Sequence, residues 1–205
     1  FVSYFDYYQP EAYMASSDTY IEKDSKINDE IDRLRHAATT ALLTRRDTII
    51  VASVSCIYGI GSPESYESMA ITVKKDEKRQ QDKFVRLLTD IQYQRNDIDF
   101  HRGTFRVRGD IVDVFPAGSD VAYRIEFFGD QVERLTRIDP LTGEILAEPT
   151  ELSIFPSSHY VTPKEKLAVA IEKIKEEFAD RLAFFETHDK LLEAQRLGQR
   201  TKYDI

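Results

Sequence analysis

Hydrophobic and polar positions follow three different patterns along this chain, and each pattern predicts a different kind of element. In residues 26–45 the apolar residues recur at three- and four-residue steps, which predicts an amphipathic helix with one apolar face: Ile27, Ile31, Leu34, Ala38, Ala41 and Leu42. Residues 48–56 are apolar without alternation, which is typical of a strand buried on both faces of a parallel sheet. From Gly103 onward the period changes to two.

The period of two predicts an antiparallel meander of consecutive strands joined by short turns. The predicted strands cover residues 104–108, 111–115, 121–128, 131–138 and 152–155. In the first of them Arg106 and Arg108 share one face, because side chains two apart point the same way. Arg124 and Glu126 do the same on a neighbouring strand, and we expect Arg95 and Asp113 to lie near them.

This charged face has two interpretations that the pattern alone leaves open. It is either a solvated outer surface or a docking surface that uses forked guanidinium groups.

Helical patterns flank the predicted meander. Ser62 and Pro63 begin a short helix, and a helix before the meander carries Phe84, Leu87, Leu88 and Ile91 on its apolar face. Residues 162–165 form a capping box with proline at the first helical position. The helix that follows is interrupted at residues 187–189 and resumes over 190–200. The polar run at residues 74–83 predicts a domain junction, and helices beside consecutive strands predict an α+β fold.

A stretch at residues 4–24 is dense in tyrosine and acid. It contains five acidic residues and one lysine, a formal charge of −4, interleaved with about half of the eleven tyrosines. Two aromatic arms around a small-residue turn predict a long β-hairpin. Tyrosine has an apolar body and a polar tip, so the hairpin is either an edge packed on its own domain or a flap that touches a partner.

Composition narrows the functional classes. The 205-residue chain carries a formal charge of −8, which argues against a chain-wide electrostatic grip on nucleic acid. The lone Cys56 excludes an intrachain disulfide, and we expect it to be a small buried hydrophobe. The sequence has no Gly-Lys pair of a phosphate loop, and its four histidines show no ligand-like spacing, so we predict neither a nucleotide site nor a metal site in this chain.

Eight stretches, in order along the chain, resemble the UvrB family of the ABC excinuclease, whose members verify damage in bacterial nucleotide excision repair. They are YFDYYQPEAY, TYIEKD, VASVSCIYGIGSPESY, IQYQRNDIDF, RGTFRVRGDIVDVFP, RIEFFGD, HYVTPKEK and LLEAQRLGQRTKYD. The resemblance implies that the chain is an internal piece of a longer, helicase-like protein in three segments. Residues 1–67 would hold the hairpin and part of an α/β core, residues 68–161 the inserted UvrA-interaction domain with the meander, and residues 162–205 a helical segment that returns to the core. The ATP-binding loop and the Asp-Glu motif would lie outside it.

The resemblance also implies roles for residues. The tyrosine-rich hairpin would insert between DNA strands, with matching positions at Tyr4, Phe5, Tyr7, Tyr8, Glu11, Tyr13, Tyr20, Glu22 and Lys23. Phe5 stands where the family usually has tyrosine, and Met14-Ala15 replaces its more usual Val-Pro. The meander would dock on UvrA through Arg95, Arg106, Arg108 and Glu126. We expect that reversing Arg106 and Arg108 to glutamate abolishes docking and leaves the fold intact.

The implied partners are UvrA, damaged DNA and, for the longer protein, the nuclease UvrC. The longer protein would bind ATP with magnesium, this chain would bind no cofactor and catalyse nothing by itself, and the setting would be the bacterial cytoplasm. Two alternatives remain: the UvrA-binding module of a transcription-repair coupling factor, and a non-catalytic DNA-binding fragment.

Overall fold

A computed structural model describes residue 1, residues 12–14, 17, 19–21, 29–57 and 60–205 of the chain. These residues form two compact units, Phe1–Val161 and Thr162–Ile205. Helices and antiparallel strands are mixed in the first unit, which confirms the α+β prediction. The predicted insertion into a helicase-like core stays a prediction.

A six-stranded sheet dominates the first unit, in the order β4-β5-β6-β7-β8-β9. Its strands are β4 (Gln94–Arg95), β5 (Thr104–Arg108), β6 (Ile111–Phe115), β7 (Ala122–Phe128), β8 (Gln131–Ile138) and β9 (Ile145–Ala147). Strands β5 to β9 pair antiparallel, as the period of two predicts, whereas β4 pairs parallel to β5. The pattern gave no signal for β4 or β9, because two or three residues are too few to establish a period.

One face of this sheet carries the core. The paired row Val107, Val112, Ile125 and Leu135 points to this face, and all but Val107 are fully buried. Helix α3 (Gln81–Asp90) covers it with Phe84 and Leu88, and the Phe84 ring lies 5.8 Å from that of Phe127. The predicted apolar face of α3 is correct except for Leu87, which is exposed.

A second, two-stranded sheet pairs β3 (Ile71–Lys74) with β10 (Glu151–Ile154). The sequence predicted β10 as the last strand of the meander, and this is wrong: its backbone bonds go to β3, not to β8 or β9. The run that forms β3 is only four residues long and its partner lies on the far side of the meander. Val73, Leu152 and Ile154 join the core from this sheet.

Helix α1 (Asp29–Thr44) confirms the predicted helix, but its buried face differs from the predicted one. Ile31 is buried as expected, whereas Leu34 and Leu42 are exposed and the polar residues Arg35 and His36 are buried. His36 Nδ1 lies 3.2 Å from Tyr66 Oη, and the Arg35 guanidinium lies over the Phe1 ring, 4.9 Å from its centroid, so each buried polar side chain meets a specific neighbour. Ile27 lies outside the described residues.

The predicted buried strand at residues 48–56 does not form. Residues 48–53 have no regular structure, Val54–Ile57 is a 3-10 helix, and Ile49 and Val51 are 92% and 84% exposed. A strand needs neighbours to receive its backbone bonds, and within the described residues none of the strands lies alongside this run. Cys56 is buried, as predicted.

The predicted helix starts at Ser62-Pro63 and at residues 162–165 have different outcomes. Helix α2 (Pro63–Ser68) begins as predicted, with the Ser65 amide donating to Ser62 Oγ at 3.2 Å. The second unit consists of α4 (Lys164–Thr187) and α5 (Leu191–Asp204), which confirms the predicted interruption. Helix α4 begins one residue later than predicted, after an extended Pro163, and it lacks the predicted side-chain cap bond.

The hairpin prediction is confirmed at the backbone level for the part that is described. Strand β1 (Ala12–Met14) pairs antiparallel with β2 (Thr19–Ile21), and Tyr13 stands opposite Tyr20. The other predicted hairpin residues lie outside the described residues: Tyr4, Phe5, Tyr7, Tyr8, Glu11, Glu22 and Lys23.

Candidate docking surface

The face of the large sheet opposite α3 carries two polar rows that run across the strands. The register places Arg106, Asp113, Arg124 and Thr136 side by side in one row. The second row, nearer the turns, holds Arg108, Ile111, Glu126 and Arg134. Directly opposed residues point to the same face, so the sheet brings Arg106, Arg108 and Glu126 together as predicted from their spacing.

Asp113 is the centre of the first row. Its carboxylate is almost fully buried and accepts hydrogen bonds from both flanking arginines: Arg106 Nε at 2.9 Å, and Arg124 Nε and Nη2 at 2.7 and 3.1 Å. The hydrogen bond to Asp113 raises the pKa of the Arg124 guanidinium above its usual range. One buried acid therefore holds two forked guanidinium groups in fixed orientations, with part of each still exposed.

Arg106 is fixed from a second direction as well. Its guanidinium lies over the ring of Phe100, 4.3 Å from the centroid, and only 15% of its side chain is exposed. A glutamate at this position would place a second carboxylate against buried Asp113. From this contact we expect reversal of Arg106 to cost stability, so reversal of Arg108 alone is the cleaner test of docking.

Arg108 is in a different situation. It is exposed at the end of β5, and its side chain makes neither a hydrogen bond nor an ion pair with the described residues. The pKa of Asp97 is lowered chiefly by the hydrogen bond from the Val107 amide, then by Arg95 and least by Arg108, so Arg108 interacts only weakly with this acid. Arg108 therefore offers a guanidinium that a partner can engage without breaking an internal bond.

Arg95 lies at the margin of this face, on β4. Its Nε donates to Asp97 Oδ2 at 3.0 Å, and Asp97 Oδ1 accepts from the Val107 amide at 3.0 Å. The Asn96 side chain caps the following loop by accepting from the Ile98 and Asp99 amides. The loop projects Ile98 into solvent, 98% exposed, which the sequence analysis did not single out.

Glu126 completes the second row beside Arg134, whose Nη1 lies 3.9 Å from Glu126 Oε1. Arg134 also bonds to Glu148 from the loop after β9. The face thus alternates in charge across the strands, and its outward groups are Arg108, Glu126 and Arg134. Such alternation fits a partner surface with charges in the opposite order.

The role of Asp113 was not visible in the sequence, because it interrupts an otherwise apolar strand, IVDVF. Only the register with Arg106 and Arg124 reveals why an acid is buried there.

None of the helices in the described part of the chain is long and apolar enough to cross a lipid bilayer.

Two family models match this chain. The UvrB interaction domain matches residues 71–160, which include the whole large sheet, and the UvrB third helical domain matches residues 165–205. The chain is similar to UvrABC system protein B from three bacteria. Identity is 59% over 206 residues with the Geobacillus kaustophilus protein, 58% over 205 residues with that of Corynebacterium diphtheriae and 58% over 206 residues with that of Streptococcus sanguinis.

Each of these alignments covers 100% of the chain but only 30–31% of the relative. The chain thus spans about a third of the length of the curated relatives it matches. With both domain models and identity along its whole length in agreement, the chain belongs to the UvrB family and carries that family's interaction domain and third helical domain.

Proposed function

We propose that this chain supplies the UvrA-docking domain and the DNA-probing hairpin of a UvrB protein in bacterial nucleotide excision repair. The observation that carries the proposal is the arginine face of the large sheet, where buried Asp113 holds Arg106 and Arg124 in place. Preorganised guanidinium groups lose little side-chain entropy on binding, which favours recognition of carboxylates.

Within this proposal the partner contact divides into two kinds of arginine. Arg106 and Arg124 shape the surface and keep their internal bonds, whereas Arg108 is the group that engages a carboxylate of UvrA directly. Exposed charges at an interface act mainly on the association rate and on its salt dependence.

The hairpin would act on DNA by stacking and wedging. Residues 4–24 carry a formal charge of −4, which repels phosphate, so the remainder of the longer protein would have to hold the duplex. ATP with magnesium would be bound there too, UvrC would be recruited by the assembled complex, and the setting would be the bacterial cytoplasm.

The test is the binding of UvrA to the Arg108→Glu variant, measured by surface plasmon resonance at two salt concentrations. We expect binding to weaken about tenfold or more, which corresponds to about 1.4 kcal/mol, mostly through a slower association rate. Arg86→Glu is the matched control, because Arg86 is an exposed arginine on α3, which covers the opposite face of the sheet.

The proposal predicts that Arg86→Glu binds like the unaltered chain. Equal weakening by both substitutions would indicate a general charge effect, and unchanged binding by Arg108→Glu would refute docking through this face.

A further inference from the structure

The loop after β4 holds one apolar side chain almost wholly in water. Ile98 is 98% exposed, the highest fraction among the large hydrophobic residues of the described part of the chain. Single exposed apolar residues are ordinary on protein surfaces, so exposure alone assigns no role to Ile98. Ile98 differs from such residues in the way its loop is held and in its position beside Arg108.

Hydrogen bonds fix the backbone on both sides of Ile98. The Asn96 amide donates to the Phe105 carbonyl at 2.9 Å, which ties the start of the loop to β5. Asn96 Oδ1 accepts from the Ile98 and Asp99 amides at 3.2 and 2.9 Å. Because this backbone is already ordered, a partner that buries the Ile98 side chain does not have to order the loop as well.

Ile98 leaves the sheet at the same end as Arg108. Strand β4 runs parallel to β5, and Asp97 Oδ1 accepts from the Val107 amide at 3.0 Å. Asp97 directly precedes Ile98, and Val107 directly precedes Arg108, so this one bond sets the two outward residues side by side. Neighbouring strands lie about 4.8 Å apart, so one partner surface can meet both residues.

We propose that Ile98 is the apolar anchor of the docking surface, and that it enters an apolar pocket of UvrA beside the carboxylate that meets Arg108. The inference rests on the proposed docking of UvrA through the arginine face, which it extends from charged groups to an apolar contact. Exposed charges act mainly on the association rate, whereas a few side chains buried in pockets of the partner supply most of the binding energy.

The charges around Ile98 favour a specific partner over general apolar contact. Asp97 and Asp99 flank it, with side chains 43% and 78% exposed. Arg95 donates to Asp97 at 3.0 Å and adds a cation to the same margin. A surface that covers Ile98 must match these charges as well as Arg108, and a purely apolar surface would leave them unpaired.

The experiment is surface plasmon resonance with immobilised UvrA and three forms of the chain: unaltered, Ile98→Ala and Ile98→Val. We expect Ile98→Ala to weaken binding about tenfold or more, mostly through faster dissociation and equally at low and high salt. Ile98→Val removes a single carbon and should weaken binding about fourfold. Arg108→Glu differs in kind, because it slows association and its effect depends on salt.

Leu141→Ala is the matched control. Leu141 is 94% exposed in a turn of the same construction, in which Asp139 Oδ1 accepts from the Leu141 and Thr142 amides at 2.9 and 2.7 Å. This turn follows Ile138, at the end of β8 that is remote from the row of Arg108. We expect Leu141→Ala to bind UvrA like the unaltered chain.

Ile98→Ala should leave the melting temperature unchanged, because so exposed a side chain contributes little packing. Weaker binding by Ile98→Ala but not by Leu141→Ala supports the anchor. Unchanged binding by Ile98→Ala beside weakened Arg108→Glu would refute the anchor and leave docking through the arginine face standing. If neither substitution weakens binding, the proposed docking and the anchor fall together. Equal weakening by Ile98→Ala and Leu141→Ala would indicate a general loss of apolar surface and overturn the anchor.

Discussion

Asp113→Asn is the most direct test of how the arginine face is built. The substitution keeps the shape of the side chain and removes the charge that three guanidinium hydrogen bonds share, at 2.7, 2.9 and 3.1 Å. Removing one partner of a buried ion pair costs about 3–5 kcal/mol. Arg106 and Arg124 are 15% and 25% exposed, so water reaches part of each stranded charge. We therefore expect a loss of about 2–3 kcal/mol in the free energy of unfolding.

The assay is thermal unfolding followed by near-ultraviolet circular dichroism, which reports on the tyrosines because the chain has no tryptophan. A loss of this size lowers the melting temperature by about 4–12 °C for a unit of this length. Asp110→Asn is the control: it removes the same charge from an exposed turn and should change stability by less than about 0.5 kcal/mol. If Asp113→Asn and Asp110→Asn have the same melting temperature, the Asp113 carboxylate does not organise this face.

Further predictions concern the contact of α1 with the interaction domain and the packing of α5. Gly118→Ala places a Cβ 2.6 Å from the Ala37 amide nitrogen, so it should destabilise the first unit by about 1–3 kcal/mol in urea unfolding. Gly198→Ala, whose Cβ meets no atom of the described residues within 4 Å, should instead stabilise α5 by about 0.5–1 kcal/mol. Stability should fall as the pH drops below about 6.5, because unfolded His159 takes up a proton there and the folded imidazole, with its pKa lowered to about 3 mainly by burial, does not. The loss should be about 2 kcal/mol at pH 5 relative to pH 8, and a flat profile between these values would contradict it.

Periodicity predicted the parts of the fold that are local in sequence. Strands β5 to β8 follow one another with short turns, so each strand supplies its own alternation and its own neighbour. The pairing of β3 with β10 joins residues on opposite sides of the meander, and no local pattern encodes that choice. The apolar run at residues 48–56 shows the converse: a pattern typical of a buried strand forms none where, among the described residues, no neighbouring strand lies alongside.

The candidate site, like the fold, was predictable only where it depends on residues that are close in sequence. The i, i+2 rule placed Arg106 with Arg108 and Arg124 with Glu126 on one face. It could not tell which of these side chains bond within the chain and which are left for a partner. Whether an arginine is free or engaged depends on the cross-strand neighbour, and Asp113 acquires its two partners only through the register of three strands. The buried, stacked pair of His36 and His159 depends in the same way on α1 contacting the segment after β10.

The contact of α1 with the interaction domain is polar, and this limits how much the contact adds to the free energy of unfolding. Asp120 accepts from Arg33 of α1 at 3.1 Å and from Arg102 at 2.7 Å, but these are exposed pairs and each is worth little in water. The buried bonds around His36 and His159 and the close approach of Gly118 to the helix backbone tolerate only one arrangement. Such a contact fixes orientation more than it adds stability, since every buried polar group must meet its own partner.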